Sequence, residues 1–421
     1  MAALNSAKIA QVIFEEVVET HEAQTQMLGL VDSFTAAAGS LQNSGNYVWR
    51  PAQMHRPVLD GWDLTGQDQG IIEETYPAIL GTQKNDYIVL RADDLRDESF
   101  WRKAGRESGM KQASTLNKSV ADTIVNTGSL AYTTNTTSGF NFIAQAQTIM
   151  DERQLVADDR KFILSPRDNL AYATELSGRQ TLQGRPATVW ETGQLAQNVA
   201  GFDVYTGSYL SRLAGGADPA TTVTANVSLK PESGSVSATG VVTNVDYRVG
   251  TIPVTSSAAY NVGDIVTFGT VQSVGLTDKT PTGQLMTFRI VAKPTGTSVQ
   301  VYPKPIALND AALSTLEKAY ANINTQITSG MQMNRVNTAA SSAPSVFFGK
   351  NSIEVFHGEI PAQLFSQYGG QRVISETLKS GQKMYMLFDA NSTKMEFQFR
   401  IFTWYGVTNK NPSANGVAIR V

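Results

Sequence analysis

The sequence predicts an α+β core that carries an all-β insertion, and three observations predict it. Strand-like and helix-like segments alternate through the first half of the chain. Composition shifts near Gly215, after which residues 221–305 are dominated by Thr, Val, Ser and Gly in alternating runs. From Val346 buried-strand patterns return, ending in the alternating run from Met395 to Tyr405. A chain of 421 residues, at roughly 100–200 residues per domain, holds two to four packed units.

The elements follow in order. Ile9, Val12, Ile13 and Val17 recur at three-to-four spacing, which predicts a helix over Ala7–Glu22 with Glu15, Glu16, Glu19 and Glu22 on its other faces. Residues 46–90 read as extended chain. Tyr47–Trp49 is a short strand, Asp60-Gly61 and Thr65-Gly66 are turn signals, Ile71–Tyr76 is strand-like and Asp86–Leu90 is an apolar strand. So long a Pro- and Gly-punctuated excursion is hard to bury on a small domain and suits an arm that rests on a neighbour. A helix of about thirty residues, roughly 45 Å long, is expected from Asp97 to Thr127, with acids at its start, a Glu98–Arg102 pair, and the stripe Ala113, Leu116, Val120, Ile124. A helix at Phe140–Glu152, a buried strand at Lys161–Leu164 and a helix at Arg167–Leu176 complete the first half.

In the insertion, strands are expected at Thr222–Val227, Asp264–Phe268, Met286–Val291 and Ser298–Tyr302. Glycines punctuate them every 6–13 residues, the pattern of a small barrel or sandwich. Ala311–Tyr320 reads as a short helix leading back out.

Composition narrows the function. There is no cysteine, which excludes disulfide scaffolds, thiolate metal clusters and cysteine nucleophiles. The net charge of −3 offers no basic face for nucleic acid. No apolar run approaches a membrane span of about 18 residues, and the first residues lack a secretory signal pattern. Charged residues make up 17% of the chain, against about 25% in ordinary soluble domains. Few charges suit abundant β structure or a surface hidden in contacts, because interface centres are depleted of charge.

No catalytic constellation emerges. The histidines His21, His55 and His357 are far apart, and His21-Glu22 is followed by Thr25 where a zinc-binding helix needs a second histidine, so His21 is expected as an exposed helix residue. Gly349-Lys350 lacks the upstream glycine and the following hydroxyl of a phosphate loop, and neither a nucleophile elbow nor a dinucleotide fingerprint is present. Asp93, Asp94, Asp97 and Glu98 read as helix-start electrostatics rather than a cation site, because Arg91 and Arg96 interleave them. Trp49, Trp62 and Trp101 are expected in core or interface packing. The expectation is therefore a weakly charged, self-associating protein with extended arms, no enzyme, no cofactor and no metal.

Several segments resemble a known family. Gly61-Trp62-Asp63-Leu64-Thr65, Leu90–Glu98 (Leu-Arg-Ala-Asp-Asp-Leu-Arg-Asp-Glu), Pro303-Lys304-Pro305-Ile306-Ala307-Leu308, Ala319–Asn324 and Trp404-Tyr405-Gly406-Val407 together resemble the major coat proteins of short-tailed lambdoid phages, in family order over essentially the whole chain. The resemblance implies the tailed-phage capsid fold of the Hong Kong 97 type with an inserted β-barrel. It assigns 1–45 to an N-terminal arm, 46–90 to an extended loop and its flanking strands, and 91–150 to a peripheral domain with spine helix 97–127. It assigns 151–220 and 344–394 to an axial domain, 221–343 to the inserted barrel and exit segment, and 395–421 to a strand returning to the peripheral domain.

The implied function is assembly, without catalysis, of a virion capsid in the host cytoplasm. The implied partners are other copies in hexamers and pentamers, a scaffolding protein, a portal, and packaged double-stranded DNA bound without sequence specificity, with no membrane. Shell expansion on packaging is also implied. At residue level the resemblance implies scaffold binding at Glu15 and Glu16, a two-fold contact in the loop Ser235–Arg248 using Asp246 and Arg248, and an inter-subunit contact of the extended loop at Trp62 and Asp63. A different class remains open at this stage, a β-rich surface or carbohydrate-acting protein. It rests only on the Thr/Gly-rich insertion, and an enzyme of that class needs a carboxylate pair about 5–10 Å apart.

Overall fold

The computed structural model describes residues 6–35, 46–65, 70–91, 93–94, 97–155, 159–178, 194–233, 235–236, 242–243, 246–338, 341–360, 372–391 and 393–420. The chain divides into two compact units. One comprises Met1–Val48, Ala78–Ala121 and Glu354–Thr408, and the other comprises Trp49–Pro77, Asp122–Ile353 and Asn409–Val421.

The first unit is built on a four-stranded antiparallel sheet in the order 372–377, 383–391, 396–403, 84–91. Long alternating sequences make these strands. Phe397, Phe399 and Ile401 point to one face with Ile88, Leu90, Met384, Met386 and Phe388, and that face forms one apolar core with helix α1 (Ser6–Gln24) and Trp101. Helix α2 (Glu98–Thr127) is 30 residues long and begins in this unit. Asp97 Oδ1 accepts the Ser99 N–H at 2.9 Å at its start, and Arg102 pairs with Glu98 at 2.8 Å as the spacing predicts. Strand Asp32–Thr35 lies parallel to Glu354–His357.

The second unit contains two β structures. The first is a six-stranded mixed sheet in the order 130–134, 415–420, 345–349, 160–164, 202–206, 194–199. Helices α3 (Gly139–Glu152) and α4 (Pro166–Gly178) accompany it. Every residue of Arg160–Leu164 is buried, which matches its unbroken apolar centre. Phe142, Phe162, Phe202 and Phe347 meet in the core beneath it.

The second structure is the insertion, with strands ordered 221–222, 332–335, 265–268, 288–295, 298–302, 250–253. Val223 forms an antiparallel bridge with Val254, and Thr255 N donates to Thr222 O at 2.9 Å, so the first and last strands join and the sheet closes into a barrel. Its lumen is filled by residues such as Ile252, Val266, Phe268, Phe288, Ile290, Val301 and Met333. Buried Arg289 leaves the barrel to donate to Gly128 O at 2.9 Å and to the Gly263 and Val125 carbonyls, satisfying acceptors that the end of α2 leaves open.

Several expectations are corrected. The strand expected at Ile71–Tyr76 begins only at Thr75. Upstream, Ile72 is held by the Tyr320 hydroxyl on its carbonyl and by an apolar cluster around Ile306, without a ladder. The helix expected at Ala311–Tyr320 shrinks to Thr315–Lys318, because Asp310 draws the Ala312 N–H to its carboxylate at 2.9 Å and holds the preceding residues in turns. The strand expected to span Thr222–Val227 stops at Thr222, where the barrel closes.

In the C-terminal third the strands pair into two different sheets. Strand 383–391 joins the four-stranded sheet, whereas Asn415–Arg420 lies inside the six-stranded sheet between 130–134 and 345–349. His21 is not exposed but 1% accessible. It continues the row Ile9, Ile13, Val17 at four-residue spacing, and burial pushes its imidazole down to about 4.

Candidate assembly surfaces

Three regions hold the residues singled out above. The first is α1. Its buried row packs inward while Glu15 and Glu16, adjacent in sequence, diverge in direction as neighbouring helix residues must. Glu15 is exposed and accepts a hydrogen bond from Gln11 Nε2 at 3.0 Å. Glu16 is turned to α2, its side chain 11% exposed, and pairs with Arg102 at 3.3 Å and with Arg106.

The approach of α1 to α2 is unusually close because Gly105 and Gly109 sit four apart on one face. A Cβ at Gly109 would lie 2.7 Å from Val17 O, and one at Gly105 would lie 3.1 Å from Ile13 O. Buried Asn117 then closes the end of α1, donating to Gln24 O at 2.9 Å and accepting from Met27 N at 3.2 Å. The sequence reading missed these partners. The signals were the Gly-x-x-x-Gly spacing and the arginines at 102 and 106 on one helical row.

The second region is the excursion from residue 52 to 74. Ala52 N donates to Glu74 O at 2.7 Å, joining its two limbs. Beyond that pair the described residues form neither helix nor strand, and large apolar side chains stand free, with Val58 92% exposed and Trp62 fully exposed. Beside Trp62, Asp63 accepts the Thr65 N–H at 2.9 Å, and the Thr65 hydroxyl and amide hold its carboxylate below the usual range. Trp62 and Asp63 thus share a turn that faces solvent.

The third region holds Asp246 and Arg248. The loop expected to present them, Ser235–Arg248, lies outside the described residues except at 235–236, 242–243 and 246–248. The two ions are not free. Arg248 is 10% exposed and pairs bidentately with Asp246 at 2.9 Å through both Nε and Nη2. It also donates to Asn409 O at 2.6 Å and Lys410 O at 3.0 Å. The guanidinium lies 4.5 Å from the Tyr76 ring and 5.3 Å from that of Tyr302, whose hydroxyl bonds Asp246. Burial pushes the Asp246 carboxyl up, but its bonds to Arg248 and Tyr302 outweigh that and hold it below the usual range. The pair is a buried hub inside its own unit. The arrangement closes the network on itself, which sequence spacing alone did not reveal.

Among the described residues, no group of three or more His, Asp or Glu side chains is placed to hold a metal ion, and no helix is long and apolar enough to cross a membrane.

Solved phage structures resemble the chain over most of its length. One from Mycobacterium phage Che8 matches at 10% identity over 94% of this chain and 90% of its own, with a TM-score of 0.44. The capsid of cyanophage P-SCSP1u matches at 10% identity over 94% and 86%, with a TM-score of 0.43. The CUS-3 coat protein I-domain is 30% identical over 28% of this chain and 97% of its own length, with a TM-score of 0.22. Residues 1–420 match the family described as "P22 coat protein - gene protein 5". That match displaces the carbohydrate-acting alternative, since the barrel belongs to the family's own pattern. The chain belongs to the P22 coat protein family, as a major capsid protein whose copies assemble into the capsomers of an icosahedral virion shell.

Proposed function

We propose that the subunits associate as hexamers and pentamers into a procapsid, guided by a scaffolding protein and a portal in the host cytoplasm, and that the shell expands as double-stranded DNA is packaged inside it. The role is structural, without catalysis, and DNA is held without sequence-specific contacts. The observation that carries this reading is the apolar excursion at 52–74, with Val58 and Trp62 bare in the free subunit. Side chains of this size gain about 1.5–3 kcal/mol each on burial, and repetition around a closed shell multiplies weak contacts.

Within this reading Trp62 and Asp63 contact a neighbouring subunit. Glu15 is the scaffold-facing acid of its pair, because Glu16 already spends its charge on Arg102 and Arg106. Asp246 and Arg248 act on the two-fold contact indirectly, by fixing the root of their loop. The test is co-expression with the cognate scaffolding protein and electron microscopy of the lysate. Closed shells are expected from the parent, with Glu15→Lys losing scaffold incorporation while Glu16→Lys loses subunit stability. Subunits that stay monomeric with scaffold present would refute the assembly reading. Unchanged scaffold content in Glu15→Lys shells would refute the contact alone.

A further inference from the structure

The second unit holds a partly open cavity of about 130 Å³ where the limbs of the 52–74 excursion, the end of α3 and the exit of the barrel come together. Its lining is cationic. Arg153, Arg248, Lys304 and Lys410 face it, and Glu74 is the one carboxylate among its described lining residues. Arg248 is committed to Asp246. Lys304 donates to Lys230 O at 3.1 Å and lies 3.8 Å from Glu232.

Arg153 is different. It is 7% exposed, its Nε and Nη1 are buried with no hydrogen-bond partner, and among the described residues no carboxylate lies within ion-pair distance, Glu152 acting on it only through space. Burial lowers its guanidinium only to about 10, so it remains a cation at neutral pH.

Other buried arginines of the same unit are partnered. Buried Arg289 donates to three carbonyls, and buried Arg335 pairs with Asp264 at 2.7 Å. A buried guanidinium with unpartnered N–H groups is unfavourable, and an oxyanion in the cavity would supply both acceptors and further opposite charge. The cavity favours a small occupant, since sites for drug-sized ligands run about 300–1,000 Å³. Burial pushes Glu74 up to about 7, so near neutrality it opposes an incoming anion with only part of a charge.

We propose that this cavity binds a small tetrahedral oxyanion of the phosphate or sulfate class, with Arg153 as its principal partner and the Lys304 and Lys410 ammonium groups supplying further positive charge. Arg supplies a planar fork of donors that fits such oxygens. The ion would tie the base of the excursion to the barrel exit and the end of α3. This inference does not rest on the assembly reading, and either can fail without the other.

The probe is inorganic phosphate, titrated into the full-length soluble subunit by calorimetry and by thermal unfolding, with sodium chloride of equal ionic strength as the screening control. Saturable one-to-one binding is expected, with an unfolding midpoint that rises with phosphate but not with chloride. Arg153→Met should weaken binding by about tenfold or more, the equivalent of one charge-assisted hydrogen bond. Lys350→Met, outside the cavity, should leave it unchanged. If Arg153→Met does not fold, Arg153→Lys keeps the charge without the fork and should bind more weakly than the parent. The absence of saturable binding to the parent at tens of millimolar phosphate would overturn the proposal. So would equal phosphate affinity in the parent and in whichever Arg153 variant folds.

Discussion

At the scale of single residues, charge is handled by enclosure. Asp246 and Arg248 are both largely buried, so removing one charge leaves the other without its counter-ion. Asp246→Asn is expected to cost about 3–5 kcal/mol, read as a lower urea midpoint of the soluble subunit. The pH dependence has a definite sign. The folded Asp246 carboxyl lies below its ordinary value of 3.8, so its contribution is complete above that value and is lost as pH falls through the lower folded value. The histidines act earlier in acid. His21 and His357 are each 1% exposed and are pushed by burial to about 4. The unfolded chain therefore takes up protons below about 6.5 that the folded chain refuses, and stability falls between there and 4. His357, with neither ring nitrogen partnered, is the cleaner probe. In His357→Gln the slope of stability against pH in that window should fall by up to about 1.4 kcal/mol per pH unit, measured by urea unfolding at a series of pH values. Glu74 runs the other way, since its folded value near 7 removes stability as pH rises from its ordinary 4.5.

At the scale of elements, the packing of α1 against α2 depends on what is missing at two positions. A methyl at Gly109 would lie 2.7 Å from Val17 O and 3.0 Å from Thr20 Cβ, so Gly109→Ala must push the helices apart. A loss of about 1–3 kcal/mol is expected, with a smaller loss for Gly105→Ala, where the nearest atom is 3.1 Å away. Chemical denaturation of the two variants side by side checks the order.

This packing also marks how far the sequence could be read. All four helices α1–α4 were located closely, α1 and α2 by the apolar positions that recur along one face of each. Short elements failed where a local side chain competed with the backbone, as Asp310 does before Thr315–Lys318. Partners across long sequence separations were not legible. Nothing near Glu16 announces Arg102 and Arg106, and nothing near Asp246 announces Tyr76 or the carbonyls of residues 409 and 410. The acids and aromatics at the candidate surfaces were found from the sequence. Which of them face outward depended on helix rotation and barrel closure.

At the scale of the whole molecule, the separation of folding from assembly is the property a shell subunit needs, and Trp62 is where it can be measured. An exposed indole contributes nothing to the free subunit's core, so Trp62→Ser should leave the urea midpoint of the soluble subunit unchanged within about 0.5 kcal/mol. If the residue is buried against a neighbour in the shell, the same change removes its contact once per subunit, about 1.5–3 kcal/mol at each site. The critical concentration for scaffold-assisted assembly should therefore rise by at least tenfold, followed by light scattering and sedimentation. Shells that do form should release subunits at lower denaturant than the parent. Gly109→Ala provides the reciprocal case, because it weakens the subunit first and assembly only as a consequence. A Trp62→Ser protein that unfolds early as a monomer, or that assembles at the parental concentration, would show that the excursion folds back on its own subunit instead of reaching another.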